Sequence, residues 1–199
     1  MLLTSLRAFI VYAILLGIIY PLAITTIGHF TMPNKANGSL IVVDNKVVGS
    51  SLIGQNFTYA KYFHGRFSAN DYDATLSATG GNNFAPSDKK FFAITEARVK
   101  KIRTENKLSA DTAIPADMAL SSASGLDPHI SQHNAILQTQ RVAKARNIAE
   151  EKVLKLIVQN TDKDFIGIWG QEGVNVLKLN LALDALVANG ENKNHARTN

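Results

Sequence analysis

The hydrophobic pattern changes character along this chain. Ala8 to Gly28 (AFIVYAILLGIIYPLAITTIG) is an almost unbroken apolar run, and no Lys, Arg, Asp or Glu occurs between Arg7 and Lys35. As a helix it would reach about 31 Å, which matches a hydrocarbon core of ~30 Å. A polar, Pro/Gly-punctuated stretch, Met32 to Gly38, follows. Two β-branched runs, Leu40-Ile41-Val42-Val43 and Lys46-Val47-Val48, then flank Asp44-Asn45, which predicts a tight hairpin. Residues 50–67 are aromatic-rich without a period, and 68–88 reads as a long loop. Helical spacing returns after Ser87, the expected N-cap, with Phe91, Phe92, Ile94, Val99 and Ile102 up to Lys107. A second helix is expected from Ser131 past Gln140, with Asn147 and Glu150 as a capping box for its continuation through Val158. Val174 to Leu179 reads as a strand, Asn180 to Val187 as a short helix, and 189–199 as a frayed polar tail. With no regular βαβ alternation, the fold class is α+β: a single N-terminal transmembrane helix followed by one mixed soluble domain. The expected organisation is an anchor over 1–30, a linker over 31–38, the domain over 39–188 and the tail over 189–199.

The alternatives for the first run are a cleaved signal peptide and a buried core helix. A signal h-region spans ~7 to 15 residues before a small-x-small site, whereas this run is longer and continues as Pro21-Leu22-Ala23-Ile24. A retained anchor is therefore expected. Pro21 removes a backbone donor and should kink the helix, while Ala13 and Gly17 form a small-xxx-small pair through which another helix could approach in lipid. The few flanking charges favour a cytoplasmic N-terminus with the bulk of the chain outside.

Composition narrows the chemistry. The chain has no cysteine, which removes disulfides, thiolate metal sites and cysteine nucleophiles. Net charge is only +5, too small for a dedicated nucleic-acid binder. From Lys89 to Lys107 there are seven basic and two acidic residues, without aromatic interleaving, and a solvated helix face is the expectation. No GxxxxGK[ST] phosphate loop and no DKTGT phosphorylation motif occurs, so the chain carries no recognisable ATPase machinery. Gly80, Gly81, Asn82 and Asn83 could form an anion-binding nest, or simply a turn. His129 and His133 have metal-ligand spacing, but Asp127-Pro128 precedes them and no HExxH glutamate lies between. Asp71 and Asp73 could pair as carboxylates, though in a Gly/Ser/Tyr-rich loop they read as turn formers. Ser121, Ser122 and Ser124 lack a nucleophile-elbow pattern. No catalytic constellation, cofactor site or metal site is expected.

Five segments in fixed order carry a family resemblance: GSSLIGQ (Gly49 to Gln55), YFHGR (Tyr62 to Arg66), SGLDPHIS (Ser124 to Ser131), QRVAKAR (Gln140 to Arg146) and VNVLKLNLALD (Val174 to Asp184). Beside the anchor they closely resemble the C subunit of the bacterial Kdp high-affinity potassium-transporting ATPase over nearly the whole chain. Phe67 departs from the proline common in that family, and Phe84-Ala85 replaces its usual Leu-Gly. The resemblance implies an accessory, non-catalytic subunit in the bacterial inner membrane. Its implied partners are a channel-like potassium-translocating subunit, a P-type ATP-hydrolysing subunit and a small one-helix subunit. Potassium is then the transported ion and ATP serves the complex. The resemblance also implies that the subunit stabilises the complex and acts as a catalytic chaperone raising the ATP affinity of the ATPase subunit. The competing expectation is a standalone membrane-anchored extracytoplasmic ligand-binding module.

Overall fold

A computed structural model describes residues 1–75, 79–163 and 170–195, with side chains of the last helix described as far as 188. Contacts divide the chain into two compact units, Met1–Ser50 and Ser51–Asn199. The fold is α+β, with small antiparallel sheets among longer helices.

In the first unit, Leu2–Thr31 is helical throughout and long and apolar enough to cross a membrane, with none of its most apolar window buried by protein. It comprises α1 (Leu2–Ile14), a π-helical turn (Leu15–Ile19) and α2 (Tyr20–Thr31). Pro21 has no N–H to donate, and the chain meets that loss by widening the preceding turn, where Tyr20 N–H donates to Leu15 O. A short helix α3 (Pro33–Ala36) leads to β1 (Leu40–Val43) and β2 (Lys46–Ser50), paired antiparallel with an irregularity between Ile41 and Val42. Asp44 and Asn45 both adopt positive φ, as a two-residue hairpin turn requires.

The second unit contains α4 (Lys89–Asn106), α5 (Ala116–Ala119), β3 (His129–Ile130), α6 (Gln132–Arg146), α7 (Glu150–Gln159), β4 (Thr161–Asp162), β5 (Gly173–Asn175) and α8 (Val176–His195). β5 is the centre of a three-strand antiparallel sheet, in the order β3-β5-β4. Helix α6 buries Asn134, Ala135, Gln138, Thr139, Val142 and Ala143, a stripe at helical spacing. It packs with Val153 and Ile157 of α7, Val174 of β5, Val176, Leu179 and Leu183 of α8, and Phe63 in one core. A smaller cluster joins Ile102 of α4 to Met118 and Ala119 of α5.

Four sequence expectations need correction. The N-cap of α4 is Asp88 rather than Ser87; its carboxylate accepts from Lys90 N at 2.8 Å, and a negative charge there also suits the helix dipole. The buried residues of this helix, Ile102 and Asn106, lie in its later part, and Phe92 of the expected stripe is 60% exposed. Asn147 does not cap a continuation. It ends α6 in the left-handed conformation that Asn tolerates, and Ala149 precedes α7. Finally, the strand expected over 174–179 stops at Asn175. Leu177, Leu179, Leu181 and Leu183 alternate like a strand, but Val176, Leu179, Asn180 and Leu183 line up on a helix, and this face is buried. The Asn175 side chain caps α8 by accepting from Lys178 N at 3.1 Å. Helix α8 spans Val176–His195, longer than the short helix expected over 180–187, and 196–199 lie outside the described residues.

Candidate functional site

The period-free segment around YFHGR is held by side chains instead of strands. Asn180 of α8 grips Phe63, accepting from its N–H at 2.8 Å and donating to its carbonyl at 3.0 Å. Gln138 of α6 does the same for His64, at 2.8 and 3.1 Å. Each amide presents one donor and one acceptor in a plane, so it substitutes for a neighbouring peptide group. Arg141 donates to the carbonyls of Ala60 and Tyr62 and to Asn106 Oδ1 and Gln138 Oε1. Arg146 donates to Lys61 O and Asp184 Oδ1 and lies over the Tyr62 ring. Gln138 with QRVAKAR on α6, and VNVLKLNLALD on α8, thus clamp YFHGR. Burial, followed by the nearby Arg141 charge, holds the His64 imidazole below its ordinary value.

Beyond the clamps, Arg66 joins the remaining motifs. Its guanidinium donates to Asp127 Oδ2 at 2.9 Å and to Ser121 O at 3.1 Å. Asp127 also accepts from His129 N, and Gly54 N donates to Leu126 O, so GSSLIGQ, YFHGR and SGLDPHIS meet here. Tyr72 closes the cluster by donating from its hydroxyl to Arg66 O at 2.6 Å. Phe67, one of the two departures noted in the sequence, lies under the Arg98 guanidinium at 4.2 Å from its ring centre.

Burial, reinforced by the Asp127 carboxylate and opposed by Arg66, pushes the Tyr72 phenol up to about 12. A phenol ionises near ~10 when unfolded, so the folded state holds the proton more tightly. Its stabilising contribution is complete below pH ~10 and disappears as pH rises through the folded value. The stability gap between the native chain and Tyr72→Phe should therefore narrow from about pH 10 to about pH 12 in denaturant titrations. A gap that stays constant would refute this assignment.

The other predicted residues have defined places. Gly80 N donates to Ser124 O, a Cβ on Gly81 would meet Ala123 O at 3.2 Å, Asn82 donates to Ser121 Oγ, and Asn83 has positive φ. This loop is latched onto 121–124. Ser122 and Ser124 hydroxyls accept from Gly125 N and Leu126 N, as turn residues do. His129 lies in β3 and His133 in the first turn of α6, so they share no helix face. His129 Nε2 instead faces Asp162 Oδ2 at 3.0 Å. Among the described residues no group of three or more His, Asp or Glu side chains is arranged to hold a metal. Asp71 has positive φ, and Asp73 accepts from Thr75 N and Oγ1, which makes both turn formers. Ala13, Gly17 and Pro21 lie exposed along the apolar helix, with open space where a Gly17 Cβ would project.

Asn180, Gln138, Arg141 and Gly54 were missed as individuals, although each lies in or beside a quoted motif. Buried amides inside an apolar helical stripe, as at Asn134, Gln138 and Asn180, were the available signal.

The family model described as KdpC: K+-transporting ATPase, c chain, matches residues 2–185. A Mycobacterium bovis protein named potassium-transporting ATPase KdpC subunit is 49% identical over 187 residues, covering 93% of this chain and 98% of the relative. Proteins of the same name from Caldanaerobacter subterraneus and Nitratidesulfovibrio vulgaris are 48% and 44% identical, covering 87% and 92% of this chain and 89% and 95% of their own lengths.

Proposed function

The chain belongs to the KdpC family, the c chains of K+-transporting ATPases, and on that premise we propose that it is the non-catalytic, membrane-anchored accessory subunit of an ATP-driven potassium uptake pump. The observation that carries this is the family match over 2–185 on a chain whose helix Leu2–Thr31 leaves its apolar residues without protein cover. The role of the second unit is in keeping with it: the motif side chains that could do chemistry are engaged in holding loops. Its partners are a channel-like potassium-translocating subunit, a P-type ATP-hydrolysing subunit and a small one-helix subunit. Leu2–Thr31 spans the inner membrane once, with the N-terminus cytoplasmic and 39–188 outside. Ala13 and Gly17 allow close helix approach, and Pro21 with its π turn sets the local shape of the contact surface.

The subunit stabilises the complex and raises the ATP affinity of the hydrolytic subunit. With the domain outside and ATP inside, that effect travels as coupling across the membrane, with the Gly80–Asn83 loop in a structural role. Purifying the tagged chain in mild detergent from potassium-starved native cells should recover two large membrane proteins together with potassium-stimulated ATPase activity. A chain recovered alone, folded and with a ligand-dependent rise in Tm, would overturn this reading in favour of a standalone binding module. In the reconstituted pump, omitting the chain should raise KM for ATP several-fold; an unchanged KM would remove the chaperone role.

A further inference from the structure

His64 is fixed through its main chain, whose N–H and carbonyl are both held by Gln138 of α6. Its ring Nε2 lies 3.2 Å from Tyr59 O, and because a carbonyl only accepts, that nitrogen carries the ring proton. In the neutral ring Nδ1 is then a lone pair. It lies 4.0 Å from the Glu105 carboxylate of α4, where two acceptors face each other and no bond can form between them.

Charged groups reach this ring from α4, from α6 and from its own segment. On α6, Arg141 donates to Gln138 Oε1, the same oxygen that accepts from His64 N, and also to the carbonyls of Ala60 and Tyr62. On α4, Lys101 stands beside Glu105 at 3.7 Å. Arg66 and Asp71 line the same cavity as His64, Lys101 and Glu105, a space of about 300 Å³ through which water and protons can reach the ring.

A proton added at Nδ1 has two opposed consequences. It makes Nδ1 a donor to Glu105, and it places a cation in a half-buried site beside Arg141. Burial and Arg141 outweigh Glu105, so the imidazole is held below its ordinary value. A histidine that binds its proton less tightly when folded stabilises the fold fully above its unfolded value of ~6.5, and that contribution is lost as pH falls through the folded value. The repulsion falls on one junction, because Gln138 Oε1 serves both His64 N and Arg141. Asn180 of α8, which holds Phe63, bonds to neither.

We propose that His64 is an acid-operated latch: protonation at Nδ1 turns the imidazole to Glu105 and releases the segment 60–64 from Arg141 of α6, while α8 keeps its hold on Phe63. The latch rests on this clamp geometry alone. That it reads the pH outside the cell rests on the topology proposed above.

The test follows the full chain in mild detergent. With ¹³C-labelled histidine, and His64→Gln to assign the signal, His64 should titrate below about 6.5. Glu105→Gln should move its midpoint down and Lys101→Gln should move it up, since each removes one of the charges facing the ring. Between pH ~7.5 and ~5, hydrogen exchange of peptides covering 59–66, corrected for the chemical rate at each pH, should rise several-fold, while peptides covering 176–188 stay protected. In His64→Gln the rise should vanish. Glu105→Gln leaves both clamps intact and should shift the rise to lower pH, even if His64→Gln folds poorly. A midpoint at or above 6.5, a midpoint indifferent to Glu105, or acid exchange that rises equally in 59–66 and 176–188 would overturn the latch and leave the subunit reading in place.

Discussion

Asn180→Leu should destabilise the second unit by about 3–5 kcal/mol and lower its Tm by roughly 10 °C. Asn180 is 1% exposed, and its amide satisfies both the N–H and the carbonyl of Phe63, itself fully buried. Leucine has the same branched skeleton with bulkier ends, so no cavity opens; the loss is chiefly polar, with some crowding added. Two hydrogen bonds contribute ~1 kcal/mol each, and two backbone groups left buried without partners cost ~1–3 kcal/mol apiece before relaxation. No second-site apolar replacement can restore the balance, because the orphaned groups belong to the main chain. Thermal unfolding of the full chain in detergent, followed by near-ultraviolet circular dichroism, reads the effect. A fall of less than about 2 °C would mean that water reaches Phe63 and that the clamp contributes little.

Gly54→Ala should cost about 2–4 kcal/mol. A Cβ at Gly54 would run into the Tyr72 ring and lie 2.7 Å from Asp127 O. The backbone oxygen cannot turn aside, so the ring must leave, and with it goes the bond from Tyr72 to Arg66 O. In a Tyr72→Ala background much of that clash is already gone. The two substitutions should then couple by at least about 1 kcal/mol in a double-mutant cycle. Strict additivity in urea unfolding of the four chains would disprove the close approach.

Elements whose signals are local were legible in the chain. The membrane-length helix follows from an uninterrupted apolar run, and the hairpin from two β-branched stretches around Asp44-Asn45. The starts of α4 and α6 were within a residue of expectation because Asp88 and Ser131 are ordinary N-caps. Illegible features depended on distance. YFHGR has no period because its partners, Gln138 and Asn180, are 74 and 117 residues further along the chain. The run from Val174 satisfied strand and helix spacing at once, and only the buried face of the finished core decides between them. The motifs were visible as words, but their working parts, two amides, three guanidiniums and a glycine, acquire meaning from what they touch.

The dependence of Phe63 on Asn180 also imposes an order on biosynthesis. The helix at 2–31 leaves the ribosome first and can enter the bilayer while most of the chain is unmade. The segment at 60–64 cannot settle until α8 has been synthesised, because half of its clamp is encoded there. A nascent chain arrested before residue 180 would therefore be anchored but unfinished, with Phe63 and its peptide groups open to proteases and chaperones. Synthesis of α8 becomes the checkpoint that separates insertion from maturation.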